Sequence, residues 1–218
     1  MNQNQCQPVK SLIFMYALCL TVGLIQSCNI EKPKNTPRQN DFIKSQEQKT
    51  LEVLSKQLNT TENCIIRDST QVFKSVGDIL KLERFKGKVV YLDFWGTRCK
   101  PCLEEFAYIP DLKKKFQNQP IEYLYICTYG SKEGYKYKDM LWTMLIKKYK
   151  LTGINVLVSE DAKLRFYERY KNIVDPGWSK VVPVYLLFNK QGQVVEFNAP
   201  RPSSKEVLYK RIQELLDE

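Results

Sequence analysis

The stretch Lys88 to Phe106, KVVYLDFWGTRCKPCLEEF, constrains this chain more than any other. Val89, Val90, Tyr91 and Leu92 form an unbroken run of β-branched, aromatic and aliphatic residues, the pattern of a central strand covered on both faces. Leu103 to Phe116 then follows helical spacing, so Cys99 and Cys102 fall on the turn between strand and helix. A strand buried on both sides needs helices above and below it, and this one ends in a dithiol.

The C-x-x-C spacing at such a turn has a definite chemistry. A thiolate, not a thiol, attacks a disulfide, so a working pair must lower a cysteine's pKa from the ~8.5 of a free thiol. Cys99 at a helix N-terminus would face unpaired backbone N–H groups and the positive end of the helix dipole, both of which favour the anion. Arg98 and Lys100 flank it with positive charge, and Pro101 suits the first helical turn, where its missing N–H costs nothing. Cys102, three residues on, is within reach of the Cys99 sulfur. The expectation is that Cys99 attacks and Cys102 resolves the mixed disulfide. A structural disulfide or a metal half-site is the alternative, but a zinc site would need a second pair, and Cys64 and Cys127 are isolated in the sequence. The chain has no histidine, which removes mixed Cys/His zinc sites, Cys-His nucleophile pairs and Ser-His-Asp triads together. Leu103 likewise stands where a C-x-x-C-H haem site needs its ligand.

Residues 1–27 read as an export leader, with a polar start carrying Lys10 and an uncharged run from Ser11 to Ile25 that falls short of the ~20 residues of a membrane span. Leu24-Ile25-Gln26-Ser27-Cys28 is similar to a bacterial lipobox, making Cys28 a candidate for lipidation; an uncleaved signal anchor is the alternative. Residues 28–50 are rich in Lys, Gln, Asn and Pro and poor in large apolar residues, the composition of a tether. Residues 51–218 are expected to form the folded domain, with its core over about 70–218. Both versions of the leader place that domain outside the cytoplasm, facing the periplasm or another extracytoplasmic space where disulfides persist.

Within the domain, Leu51 to Leu58 reads as a short helix, Cys64 to Ile66 as a short strand and Val72 to Phe85 as a helix. Ile121 to Thr128 is a second buried strand, and Tyr135 to Lys150 an amphipathic helix with Met140, Leu141, Met144, Leu145 and Tyr149 as its expected core positions. Ile154 to Val158 is a strand and Ala162 to Tyr170 a helix. Val184 to Phe188, the turn Asn189-Lys190-Gln191-Gly192, and Val194 to Phe197 form an expected antiparallel hairpin. Ser203 and Glu206 match a capping box for a last helix reaching Leu216. This alternation predicts an α/β fold with a central mixed sheet flanked by helices on both faces.

The 218 residues carry a formal charge of +10, which favours acidic partners or anionic lipid headgroups. Lys and Arg are nevertheless scattered, with no basic block or nucleic-acid-binding signature, so no nucleic-acid partner is expected.

Asp93-Phe94-Trp95, three intervening residues and then C-x-P-C resemble the thioredoxin superfamily, and the fuller run GKVVYLDFWGTRCKPCLEEF resembles its exported TlpA/ResA-like branch. Val182-Pro183-Val184-Tyr185-Leu186-Leu187-Phe188 is similar to that family's cis-proline strand, and Ala199-Pro200-Arg201-Pro202-Ser203 to the tail of many TlpA-like lipoproteins. The resemblance implies a thioredoxin-like fold and a membrane-tethered thiol-disulfide oxidoreductase that needs no cofactor. Its partners would be exported proteins with cysteines or disulfides and a redox donor such as a membrane thiol reductase. It also implies that Asp93 is a buried carboxyl exchanging a proton with Cys102, that Trp95 packs beside the dithiol, and that Pro183 follows a cis bond and presents the Val182 backbone to substrate. Glu105 matches a carboxylate common in the branch. The usual role is that of a reductant, including in cytochrome c maturation; an oxidant, an isomerase or a non-catalytic binding module are the alternatives. Arg98 replaces the usual aromatic and Lys100 a Gly or Glu, changes expected to make the couple more oxidising. Ala107 stands in place of the helix-kinking proline, which comes three residues later as Pro110.

Overall fold

The computed structural model describes residues 63–67, 73, 75–129, 135–159 and 182–218, together with positions 41, 45–46, 48–49 and 52–53. The leader with Cys28, most of the tether, the helix expected over Ala162 to Tyr170 and most of that over Leu51 to Leu58 lie outside the described residues. Among the described residues, no helix is long and apolar enough to cross a membrane.

The strands are β1 (Asn63–Arg67), β2 (Val89–Trp95), β3 (Ile121–Tyr129), β4 (Gly153–Ser159), β5 (Val184–Phe188) and β6 (Val194–Phe197). They form one mixed sheet in the order β1-β4-β3-β2-β5-β6. β1 to β4 are paired in parallel, while β5 runs antiparallel to β2 and β6 antiparallel to β5. All seven residues of β2 are buried, as its sequence predicts. Val90, Leu92 and Phe94 point into one core layer, and Val89, Tyr91 and Trp95 into the other.

Helix α1 (Val76–Leu80) packs on the first layer. Helices α2 (Lys100–Glu105), α3 (Ile109–Lys115), α4 (Tyr135–Tyr149) and α5 (Glu206–Asp217) cover the second. Crossover handedness accounts for this division. The steps β2 to β3 and β3 to β4 go the same way across the sheet, so right-handed connections put α2, α3 and α4 on one face. The step from β1 to β2 goes back, placing α1 on the other. The chain thus adopts the thioredoxin-like α/β arrangement expected of it.

Four local expectations are corrected. The helix expected over Val72 to Phe85 is reduced, within the described residues, to α1 and a separate 3-10 turn at Glu83–Phe85. The run from Leu103 to Phe116 is broken by a 3-10 turn at Phe106–Tyr108. Pro110 supplies the reason: its ring cannot coexist with a helical carbonyl at Phe106, four residues back, and it fits the first turn of α3 instead. Among the side chains of α4 that are described, the buried ones are Trp142, Leu145 and Ile146, whereas Met140 and Met144 are 55% and 57% exposed. Each methionine is two residues from Trp142, ~200° around the helix and so on the far side from the core. Finally, α5 has no capping box. Lys205 is its N-cap at φ 29° without a side-chain cap bond, and the Ser203 hydroxyl is engaged elsewhere.

Cys64 is buried on β1 in the first layer and Cys127 on β3 in the second, so the two lie on opposite faces of the sheet. Gly153 opens β4 at φ +119°, where a Cβ would stand 2.6 Å from the Tyr123 carbonyl oxygen.

Candidate active site

β2 ends at Trp95, and the chain turns through Gly96, Thr97 and Arg98 before α2 begins. The Cys99 N–H closes this turn on the Gly96 carbonyl at 3.0 Å. Cys99 is the N-cap of α2, with extended backbone, and its Sγ accepts the Cys102 N–H at 3.2 Å. The sulfur thus occupies the place of a capping oxygen at the helix start. Cys99 and Cys102 are joined as a disulfide with their Cα atoms 5.2 Å apart. Cys99 is half-buried at the rim, while Cys102 is completely buried behind it. Pro101 lies in the first helical turn.

The Val182-Pro183 peptide bond is cis, and it arrives at this tip from 83 residues away: the Val182 carbonyl oxygen is 3.4 Å from the Cys99 sulfur. Val182 and Pro183 are half-buried, which leaves part of both accessible beside the half-buried Cys99.

Alternating with Tyr91 and Trp95 on the face of the sheet that Cys102 covers, Asp93 is 1% exposed. Neither carboxyl oxygen has a hydrogen-bond partner among the described residues. Burial pushes its pKa well above the ordinary carboxylate range, and repulsion from Glu105 adds to the effect. Its partners in strand register are Tyr125 on β3 and Tyr185 on β5, whose hydroxyls also have no hydrogen-bond partner among the described residues. Burial raises both phenols' pKa values. Tyr185 stacks on Tyr91, ring centroids 5.4 Å apart, and the Tyr91 hydroxyl donates to the Pro200 carbonyl at 2.8 Å. Asn155 on β4, opposite Tyr125 and completely buried, continues the row, so a polar stripe crosses four strands. Tyr125 and Tyr185 were not among the residues expected from the sequence. Their spacing within each strand is visible there, but not the register that sets them on either side of Asp93.

Glu105 is buried and accepts two hydrogen bonds, from the Ser203 N–H and hydroxyl, both at 2.9 Å. It ties α2 to the segment before α5 across 98 residues of sequence. Trp95 is fully buried and meets Phe106 edge to face, centroids 5.0 Å apart, in the cluster that also contains Cys102. Arg98 is exposed. The Lys100 side chain is 89% exposed and lies 3.8 Å from Glu104, so its charge is spent largely on solvent and a neighbouring carboxylate. Cys127, opposite Trp95 in register, has its thiol pKa raised by burial. Because Cys64 faces the other core layer, these two cysteines cannot close a zinc site with the dithiol. What the arrangement can do is exchange: a half-buried sulfur at a helix tip, a second sulfur bonded to it, and an adjacent peptide edge.

A family model described as Redoxin matches residues 67–210. The chain is 32% identical over 120 residues to thiol-disulfide oxidoreductase ResA of Bacillus subtilis (strain 168), covering 55% of this chain and 58% of that protein. It is 42% identical over 120 residues to the ResA of Bacillus thuringiensis (strain Al Hakam), covering 55% and 60%. The chain thus spans about three fifths of the length of these curated relatives. Among solved structures, the thioredoxin domain of a thiol-disulfide oxidoreductase from Bacteroides vulgatus is 22% identical, with a TM-score of 0.47 over 62% of this chain and 84% of that one.

Proposed function

Because the chain belongs to the Redoxin family, we propose that it is a thiol-disulfide oxidoreductase that reduces disulfides in exported proteins while tethered to a membrane through Cys28 or its signal anchor. The observation that carries this reading is the Cys99–Cys102 disulfide at the start of α2, with the Val182 carbonyl 3.4 Å from the Cys99 sulfur.

In the reduced enzyme, the Cys99 thiolate attacks one sulfur of a substrate disulfide. A Cys99–substrate disulfide forms and one substrate thiolate leaves. Cys102 then gives up its proton and attacks the Cys99 sulfur, forming the Cys99–Cys102 disulfide and releasing the second substrate thiolate. Two electrons have passed to the substrate, and a membrane thiol reductase restores them. Asp93, on the same face as Cys102 and made more basic by burial, is the group suited to take that proton when it is ionised. The Val182 backbone before Pro183 presents a polar edge to an extended substrate segment, which brings the substrate sulfur beside Cys99. Trp95 and Glu105 act as positioning residues that both hold the far end of α2, Trp95 by packing on Phe106 and Glu105 by its bonds to Ser203. Electrons reside in the cysteine pair, so the cycle needs no cofactor.

The direction of transfer is supported by the exposure of Arg98 and Lys100. Solvent and Glu104 screen their charges, which weakens their pull toward a stable thiolate and an oxidising couple. The test is trapping. Cys102→Ser exposed to extracytoplasmic proteins should accumulate mixed disulfides through Cys99, and Cys99→Ser should form none. Full disulfide exchange by either single variant would overturn the assignment.

A further inference from the structure

Because β1 to β4 run parallel, their first residues share one end of the sheet, and the cysteine tip beyond Trp95 lies at the other. Helices α3 and α4 run back from the cysteine end and finish where β3 and β4 begin. Their last turns therefore gather at the far pole: Lys113, Lys114 and Lys115 from α3, Lys147 and Lys148 from α4, and Lys150 just after it. Lys113 Nζ donates to both the carbonyl and the hydroxyl of Thr152, which joins the two helix ends. Lys114, Lys115, Lys147, Lys148 and Lys150 are exposed.

Among the described residues, the acidic groups at this pole are placed differently. Glu122 is occupied by Arg84 at 3.1 Å and Lys88 at 2.8 Å, and Glu83 by Lys86. Glu214, Asp217 and Glu218 end α5, which lies by β5, since Lys190 Nζ reaches the Leu216 carbonyl at 2.6 Å. In the order β1-β4-β3-β2-β5-β6, the lysines sit under β3 and β4 and these acids beyond β2. β1, next to β4, starts with Asn63 opposite Gly153. β1 thus begins beside the lysines and on the side away from the acids that end α5.

We infer that this lysine pole is a docking surface for anionic lipid headgroups, which seats the domain on its own membrane with the Cys99–Cys102 tip turned outward. The inference rests on the membrane-tethered reading above. Charge complementarity names the occupant: clustered surface lysines are drawn to an anionic leaflet, the attraction fading within a Debye length of ~10 Å at 0.1 M salt. The strand polarity names the consequence, because a domain held at the first residues of β1 to β4 presents the end of β2 to soluble substrates.

The test uses the full chain reconstituted with vesicles of phosphatidylcholine alone or of phosphatidylcholine mixed with phosphatidylglycerol. Lysines are pulse-labelled with an amine-reactive ester and quantified by mass spectrometry. With phosphatidylglycerol, labelling of Lys114, Lys115, Lys147, Lys148 and Lys150 should fall several-fold relative to Lys100 and Lys205 at the cysteine end, and high salt should restore it. The quadruple variant K114E/K115E/K147E/K148E should lose the remaining protection at Lys150. Equal labelling in the two vesicle types, or equal protection of Lys100 and Lys205, overturns the docking surface. Failure of the chain to sediment with neutral vesicles would instead refute the anchor, and the labelling in anionic vesicles decides the lysine pole either way.

Discussion

Replacing Asp93 with Asn should change the pH dependence of stability in a calculable way. The carboxyl is 1% exposed, has no hydrogen-bond partner among the described residues, and has its pKa raised by burial and then by Glu105. Unfolding returns it to water, where an aspartate titrates at ~3.9. The folded state therefore holds the proton more tightly than the unfolded state. The stability this contributes is fully present below about pH 4 and is lost as pH rises through the folded pKa. Between the two pKa values the states differ by up to one proton, so the slope approaches ~1.4 kcal/mol per pH unit. Urea denaturation of the oxidised wild type and of Asp93→Asn, repeated across pH, isolates this contribution as the difference between two curves. The amide has its own burial cost, but that cost does not vary with pH and leaves the slope untouched. From about pH 5 the variant should gain on the wild type at close to that slope, levelling off where Asp93 ionises in the folded protein. A difference independent of pH would show that Asp93 does not titrate as a buried, unpaired acid. A difference of opposite sign would mean a hidden ionic partner.

Two other substitutions test the framework around the site. Ser203→Ala removes the hydroxyl bond to Glu105 and keeps the peptide N–H bond, so it should cost about 1 kcal/mol in urea denaturation; no loss would mean that Glu105 does not anchor α2. Gly153→Ala forces a Cβ to within 2.6 Å of the Tyr123 carbonyl at a φ of +119° and should cost ~1–3 kcal/mol, visible as a lower Tm; an unchanged Tm would contradict the close approach of β4 to β3.

What could be read in the sequence was local. β2 announces itself because a strand buried on both faces is apolar at successive positions, and the cysteines follow at a fixed distance. The hairpin of β5 and β6 is legible because its polar turn separates two apolar runs. Pro183 is different: nothing in its neighbours ties it to Cys99, and family resemblance alone put it and the Val182 backbone in the site, where the Val182 carbonyl lies 3.4 Å from the Cys99 sulfur. The misread elements share one cause, which is that tertiary partners decide local choices. Ser203 has the spacing of a cap, yet its hydroxyl goes to Glu105, 98 residues earlier. Met140 and Met144 are apolar, yet only one side of α4 meets the sheet, and Trp142 takes that side. Tyr125 and Tyr185 flank Asp93 through a register set by pairing between distant strands.

The most direct test of the account is the reduction potential of the Cys99–Cys102 couple, measured on the full chain by equilibration in thiol-disulfide buffers, alkylation and mass spectrometry. The account predicts one two-electron transition confined to Cys99 and Cys102, near the ~−270 mV of thioredoxin, with Cys64 and Cys127 remaining thiols throughout. A couple near ~−120 mV would contradict a reductant, and the absence of any reversible transition would contradict the enzyme itself.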